Sequence, residues 1–160
     1  MKHWNKEIAK EINPQITVKI TKEDVVDILS SALYGGIRYW GEVVPNDRHY
    51  EEAEKWLREN AVSDFDDGTI CYEEIIAQIL FSGRSVTVRD VEGDRETWLS
   101  LSNLAIGIQT AFREGYYSSY HWLAPVGDGF GEWHLNTAQI DARVADAIIQ
   151  LAVFGEIVYG

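Results

Sequence analysis

The 160-residue chain has a single cysteine, Cys71, and no long apolar run. One cysteine excludes an internal disulfide framework and a zinc site built from several cysteines. A membrane span needs about 18 apolar residues in succession, and no segment of this sequence provides them. The first residues also lack the apolar stretch of a secretion signal. We therefore expect a cytoplasmic protein with a reduced thiol.

Basic residues are scarce as well: 14 Lys and Arg stand against 26 Asp and Glu, which gives a net charge of −12. Because nucleic acids and anionic membranes attract proteins mainly through positive charge, we expect neither as a direct partner. The remaining composition, 46% hydrophobic and 25% charged, is that of an ordinary globular protein. A chain of this length has room for one domain with a sizeable core.

Hydrophobic periodicity predicts a mixture of strands and helices. Alternating apolar residues over 16–20 are typical of a half-buried strand. Thr21 and Asp24 have the spacing of a capping box, and an apolar stripe of helical period follows as far as the double glycine at 35–36. Further patterns predict helices near residues 51–59, 72–81, 103–114 and 141–154, a β-hairpin over 85–101 and a terminal strand at 157–159.

These elements predict an α+β fold, because strands and helices are mixed without a regular βαβ rhythm. We expect a single compact domain, residues 16–160, with a small antiparallel sheet and four to five helices. Residues 1–15 are expected to form an N-terminal arm. In this arm Trp4, Ile8 and Ile12 recur every four residues, so a helical arm has one apolar edge that packs on its own domain or on a partner.

No motif predicts a metal, a cofactor or a catalytic centre. Residues 63–74 have the turn glycine and the final glutamate of a calcium-binding EF-hand loop, but Ser63 and Phe65 stand where two ligands are needed, which favours an acidic solvated loop. The four histidines lack the spacing of a helical zinc site. The glycine run at 127–131 lacks the flanking strand and helix of a dinucleotide loop. We expect a non-enzymatic protein without a cofactor.

Two short segments combine arginine with aromatic rings. A planar ring stacks on a nucleobase for about 1–3 kcal/mol, and a guanidinium binds phosphate through two parallel hydrogen bonds. The segments therefore predict a pocket for a small nucleotide. Rings at this density also fill cores and cover oligomer interfaces, which is the alternative interpretation and leaves a homo-oligomer open. The candidate ligand-binding residues are Arg38, Tyr39, Trp40, Arg113, Tyr116, Tyr117, Tyr120 and Trp122.

The carboxylates are clustered, within residues 23–27, 51–54, 64–67 and 90–96. Carboxylates at regular intervals imitate a phosphate backbone, so such a surface can occupy the basic groove of a DNA-binding protein. The other interpretation is an acidic surface that keeps protein molecules apart in solution.

Two blocks of the sequence, ITVKITKEDVVDILSSALYGGIRYW and QIDARVADAIIQLAVFGEIVYG, resemble a family of small proteins encoded by bacterial phages and integrating mobile elements. The resemblance implies an accessory protein that acts in the host bacterial cytoplasm, where such proteins often inhibit host defence. The leading hypothesis is a counter-defence factor that sequesters a small nucleotide immune signal. The alternative is an acidic DNA mimic that binds a host nuclease or another DNA-binding defence protein.

Overall fold

The computed structural model describes residue 8 and residues 10–60, 68–127 and 131–160. Within these ranges the chain forms five α-helices and six short strands. The helices are α1 (Lys22–Tyr34), α2 (Asp47–Glu59), α3 (Tyr72–Phe81), α4 (Leu101–Arg113) and α5 (Ala142–Phe154). The strands are β1 (Thr17–Lys19), β2 (Gly41–Val44), β3 (Val86–Asp90), β4 (Arg95–Leu99), β5 (Leu123–Pro125) and β6 (Glu132–Leu135).

The predicted α+β class is confirmed, but the described strands form two three-stranded sheets instead of one. The first sheet is antiparallel, in the order β2-β3-β4, and contains the predicted hairpin, with Val86 opposite Leu99. The second has the order β1-β6-β5. In it β1 runs parallel to β6, with Val18 opposite Trp133, and β5 pairs with β6 in the antiparallel sense. This parallel pairing joins distant parts of the chain, so local alternation could not predict it.

Side-chain caps determine where the helices begin. The predicted capping box of α1 is present: the Asp24 amide donates to Thr21 Oγ1 (3.1 Å), and the Thr21 amide donates to Asp24 Oδ2 (2.8 Å). Helix α2 begins four residues before the expected start, because the Asn46 side chain accepts a hydrogen bond from the His49 amide (3.2 Å). Ser100 caps α4 in the same way.

The core lies where α5 packs on α1 and α4, and α1 packs on α3; α2 covers α3 from outside. Apart from Ala147, the buried apolar side chains of the described residues form one cluster. Helices α4 and α5 approach closely at Gly107, where a Cβ atom would lie 2.5 Å from the Ile148 carbonyl oxygen. None of the described helices is long and apolar enough to cross a bilayer.

The structure differs from some of the sequence-based expectations for the chain ends and loops. The terminal strand expected at 157–159 does not form; these residues are irregular. Residues 10–16 are irregular as well, and Ile12 is exposed. Trp4, residues 63–67 of the acidic loop and Gly129 lie outside the described residues.

Candidate functional site

The first arginine–aromatic segment is a short 3-10 helix, Ile37–Tyr39, between α1 and β2. Arg38 and Tyr39 are both exposed. They contact each other: Arg38 Nη2 donates to the Tyr39 hydroxyl (3.2 Å), and the guanidinium lies 5.2 Å from the centroid of the ring. The pair therefore lies on the protein surface, and the contacts between its two side chains do not form a pocket.

Trp40, the next residue, lies in the core with 2% of its surface exposed. The ring of Tyr159 is stacked on it, with centroids 5.4 Å apart and an angle of 8° between the planes. The Trp40 Nε1–H donates to Asp146 Oδ1 (2.8 Å). The expectation that Trp40 is an open stacking wall is thus corrected, because the ring is buried and Tyr159 already covers one of its faces.

The stacked Tyr159 belongs to the C-terminal tail (residues 156–160), which the buried side chain of Gln150 holds in place. Gln150 Oε1 accepts hydrogen bonds from the amides of Val158 and Tyr159, both at 2.8 Å. Its Nε2 donates to the Tyr159 carbonyl oxygen (3.0 Å) and to Asp146 Oδ2 (2.8 Å). Gln150 lies among apolar residues of α5. A glutamine within such an apolar stretch is the sequence signal that could have identified it.

The phenol of the same tyrosine reaches Asp90, which is 1% exposed at the end of β3. The Asp90 carboxylate accepts from the Gly93 amide (2.7 Å), the Tyr159 hydroxyl (2.5 Å) and Arg95 Nη2 (3.1 Å). Burial on its own raises the pKa of Asp90, but these donors and the Glu92 amide outweigh it and lower the pKa to about 2. This cluster anchors the tail.

The second segment contributes to a groove between β1 and α4, which we call the β1–α4 groove. It has a volume of about 790 Å³, within the range of small-molecule sites. Ten of its fifteen lining residues are apolar, and its exposed polar residues are Asn13, Thr17, Gln109, Arg113 and Tyr120. The lining residues are Asn13, Pro14, Ile16, Thr17, Val18, Ile20, Ala105, Ile108, Gln109, Phe112, Arg113, Tyr120, Trp122, Leu123 and Leu135.

The structure thus brings three of the eight candidate residues, Arg113, Tyr120 and Trp122, into one wall. Tyr120 is 81% exposed, and its ring meets that of Phe112 edge to face at 5.6 Å. Phe112 also lines the groove and is not among the eight residues that the sequence predicted for the site. Its position one residue before Arg113 was the signal available.

Tyr116 and Tyr117 are not part of this wall. Burial, followed by the nearby Glu114 carboxylate, raises the pKa of Tyr116 above its usual value. Tyr117 is exposed, and the guanidinium of Arg143 lies 4.4 Å from the centroid of its ring. Neither ring is therefore assigned to the site.

Trp122 is the most deeply buried of the hydrophobic groove residues, with 1% of its surface exposed. The turn before it is unusual: Tyr117 and Ser118 both have a positive φ, 49° and 61°, a conformation that non-glycine residues seldom adopt. The Nε1 atom of Trp122 is buried and has no hydrogen-bond acceptor among the described residues. Leaving such a donor unpaired costs about 1–3 kcal/mol.

No group of three or more His, Cys, Asp or Glu side chains in the described part of the chain is placed to hold a metal ion. In comparisons with known proteins, no family model, no curated protein and no solved structure matches this chain.

Proposed function

We propose that this protein is a non-enzymatic binding protein that captures a small nucleotide in the β1–α4 groove. One observation carries the proposal: the groove joins an exposed guanidinium, Arg113, and an exposed ring, Tyr120, to an apolar wall of ligand size. These are the groups that a phosphate and a base require.

The charge of the groove wall also favours an anionic ligand. Arg113 is the one charged side chain among the described lining residues, so no carboxylate among them repels a phosphate. This local situation contrasts with the net charge of −12 for the whole chain. An arginine in partly apolar surroundings attracts an anion more strongly than one that is fully solvated, because the effective dielectric constant is lower.

In the biological form of this proposal, the captured molecule is a nucleotide immune signal of a bacterial host and the protein is a counter-defence factor. The resemblance of the two sequence blocks to proteins of phages and mobile elements motivates this choice of ligand class. Capture of this kind is stoichiometric, so the protein acts by lowering the free concentration of the signal.

Isothermal titration calorimetry tests the proposal with four probes: cyclic AMP, cyclic GMP, cyclic UMP and ADP-ribose. We expect one of them to release heat with the wild-type chain. Arg113→Gln and Tyr120→Ala should each weaken its binding by about tenfold or more, because each removes a contact of about 1–3 kcal/mol.

Arg38→Gln and Tyr39→Ala are matched controls, since this exposed pair has the same chemistry and lies outside the groove. Both should leave the affinity unchanged. The absence of heat with all four probes at high protein concentration contradicts the proposal. An equal loss of affinity in the control variants would contradict the assignment of the groove.

A further inference from the structure

We infer that the ligand of the β1–α4 groove accepts a hydrogen bond from Trp122 Nε1–H, so that Trp122 is a specificity-determining residue. This inference rests on the proposed function. It defines the ligand class more narrowly: a planar heterocycle with a carbonyl oxygen or ring nitrogen on its edge, joined to an anionic group that reaches Arg113. A nucleobase carrying a phosphate has this combination.

The hydrogen-bond inventory points to Trp122. Among the described residues, only two buried side-chain nitrogen or oxygen atoms lack a partner, Trp122 Nε1 and His49 Nδ1. Trp40 is buried to nearly the same degree, and its Nε1–H has an acceptor in Asp146. An indole nitrogen donates and never accepts. The missing partner of Trp122 must therefore be an acceptor.

Hydrogen bonds hold the backbone around Trp122. The Ser119 hydroxyl donates to the Phe112 carbonyl oxygen (3.1 Å), which ties the turn before Trp122 to the end of α4. The Asn136 amide donates to the Trp122 carbonyl oxygen (2.5 Å), which ties the residue to the segment after β6. The backbone that carries this donor is therefore held before the ligand arrives and loses little freedom on binding.

Trp122 lines the groove, whereas its Nε1 atom is closed off from water. A ligand reaches this atom only after the wall has opened locally. Tyr120 is the exposed ring of that wall, and its ring contact is one edge on Phe112. Binding that requires such a movement is slower than a diffusion-limited encounter.

A buried water is the competing occupant, because ordered water often satisfies a buried polar atom. The two possible acceptors, a nucleotide and a water, differ in how the addition of a nucleotide affects the indole proton. A nucleotide that replaces the missing acceptor changes the environment of the Trp122 Nε1–H. A retained water leaves it as it is.

The test uses the full chain labelled with ¹⁵N at tryptophan indole nitrogens, titrated with cyclic AMP, cyclic GMP, cyclic UMP and ADP-ribose. Trp122→Phe identifies the Trp122 resonance by its loss. With a probe that binds, we expect this resonance to move downfield while that of Trp40, already hydrogen-bonded, stays in place. Trp122→Phe should bind that probe about tenfold more weakly. Trp98→Phe, which removes an exposed indole, should bind it normally.

Each outcome has a defined meaning. A probe that binds with calorimetric heat, leaves the Trp122 resonance unmoved and binds Trp122→Phe equally well overturns this inference and leaves the proposed function standing. Binding of none of the four probes overturns both. If Trp122→Phe does not fold, the movement of the indole resonance in the wild-type protein decides, with assignment from the Trp40→Phe and Trp98→Phe spectra and the other single Trp variants.

Discussion

Asp90 combines nearly complete burial with a full set of donors. Its carboxylate receives hydrogen bonds from two backbone amides, from Arg95 and from the Tyr159 hydroxyl. Hydrogen bonds to a charged group are worth more than neutral ones. Asp90 is therefore the residue that joins the hairpin to the tail.

We predict that Asp90→Asn lowers the free energy of unfolding by on the order of 2 kcal/mol at neutral pH. The folded pKa is lowered from 3.8 to about 2, so the contribution of the carboxylate is complete above pH 3.8 and is lost as the pH falls toward 2. Urea unfolding of both proteins from pH 7 to pH 2 measures this. The difference in free energy of unfolding between wild type and Asp90→Asn should shrink as the pH falls.

The control is Asp94→Asn, an exposed aspartate in the same turn. Its effect should be small, because this side chain is exposed. A constant difference between wild type and Asp90→Asn down to pH 2 would show that the charge of Asp90 does not stabilise the fold.

At the scale of elements, the crossing of α4 and α5 depends on the missing side chain of Gly107. A Cβ atom there would lie 2.5 Å from the Ile148 carbonyl oxygen and 3.0 Å from the Ala152 Cβ. In an exposed helix, Gly→Ala stabilises by about 1 kcal/mol. Here we predict the opposite sign, a loss of about 2 kcal/mol or more, because the helices must separate.

Thermal or urea unfolding measures the effect of Gly107→Ala. Ala105→Gly, at an exposed position of the same helix, is the matched control and should cost about 1 kcal/mol through helix propensity alone. A stabilised Gly107→Ala variant would mean that α4 and α5 do not approach as closely as the structure has them.

The tail depends on one side chain, Gln150, which binds two amides and one carbonyl of residues 158 and 159. We predict that Gln150→Ala releases the tail: the amides of Val158 and Tyr159 should lose their hydrogen-exchange protection. Gln139→Ala, which removes an exposed glutamine side chain, should leave that protection intact. Unchanged exchange in Gln150→Ala would assign the anchoring to Tyr159 and Asp90 alone.

At the scale of the whole molecule, several of the clustered carboxylates have partners within the chain. Glu52 pairs with Arg84 and Arg48, whose hydrogen bonds lower the pKa of Glu52, and Glu54 pairs with Arg58. Among the other clusters, Asp24 caps α1 and Asp90 is buried. These carboxylates are less available to imitate a phosphate backbone, which weakens the support for a DNA mimic on those faces.

The two functions predict different responses to neutralising the acidic loop. If the protein captures a nucleotide, the triple variant Asp64→Asn, Asp66→Asn and Asp67→Asn should bind the probe with wild-type affinity, and raising the ionic strength should weaken binding only modestly. A DNA mimic should lose its partner in the same variant and weaken steeply with salt. Calorimetry at several salt concentrations separates the two.

The site shows what a residue pattern leaves open. Trp40 and Trp122 both follow an arginine within an aromatic segment, and sequence reasoning assigned them the same role. In the structure Tyr159 covers Trp40, while Trp122 forms part of a groove with residues of β1, a strand that lies about a hundred residues earlier. Ring density indicates a place for aromatic contacts, but the contacts depend on which distant segments pack there.

The sequence by itself determined the features that depend on near neighbours. The α1 capping box, the α5 stripe and the β3–β4 hairpin each rest on contacts between residues close together in the chain, so local spacing was enough to predict them. Only the tertiary structure decided the β1–β6 pairing, the anchoring of the tail by Gln150 and which residues line the groove. These depend on burial and on hydrogen bonds between distant segments, and a hydrophobic period does not encode which partner satisfies a given side chain.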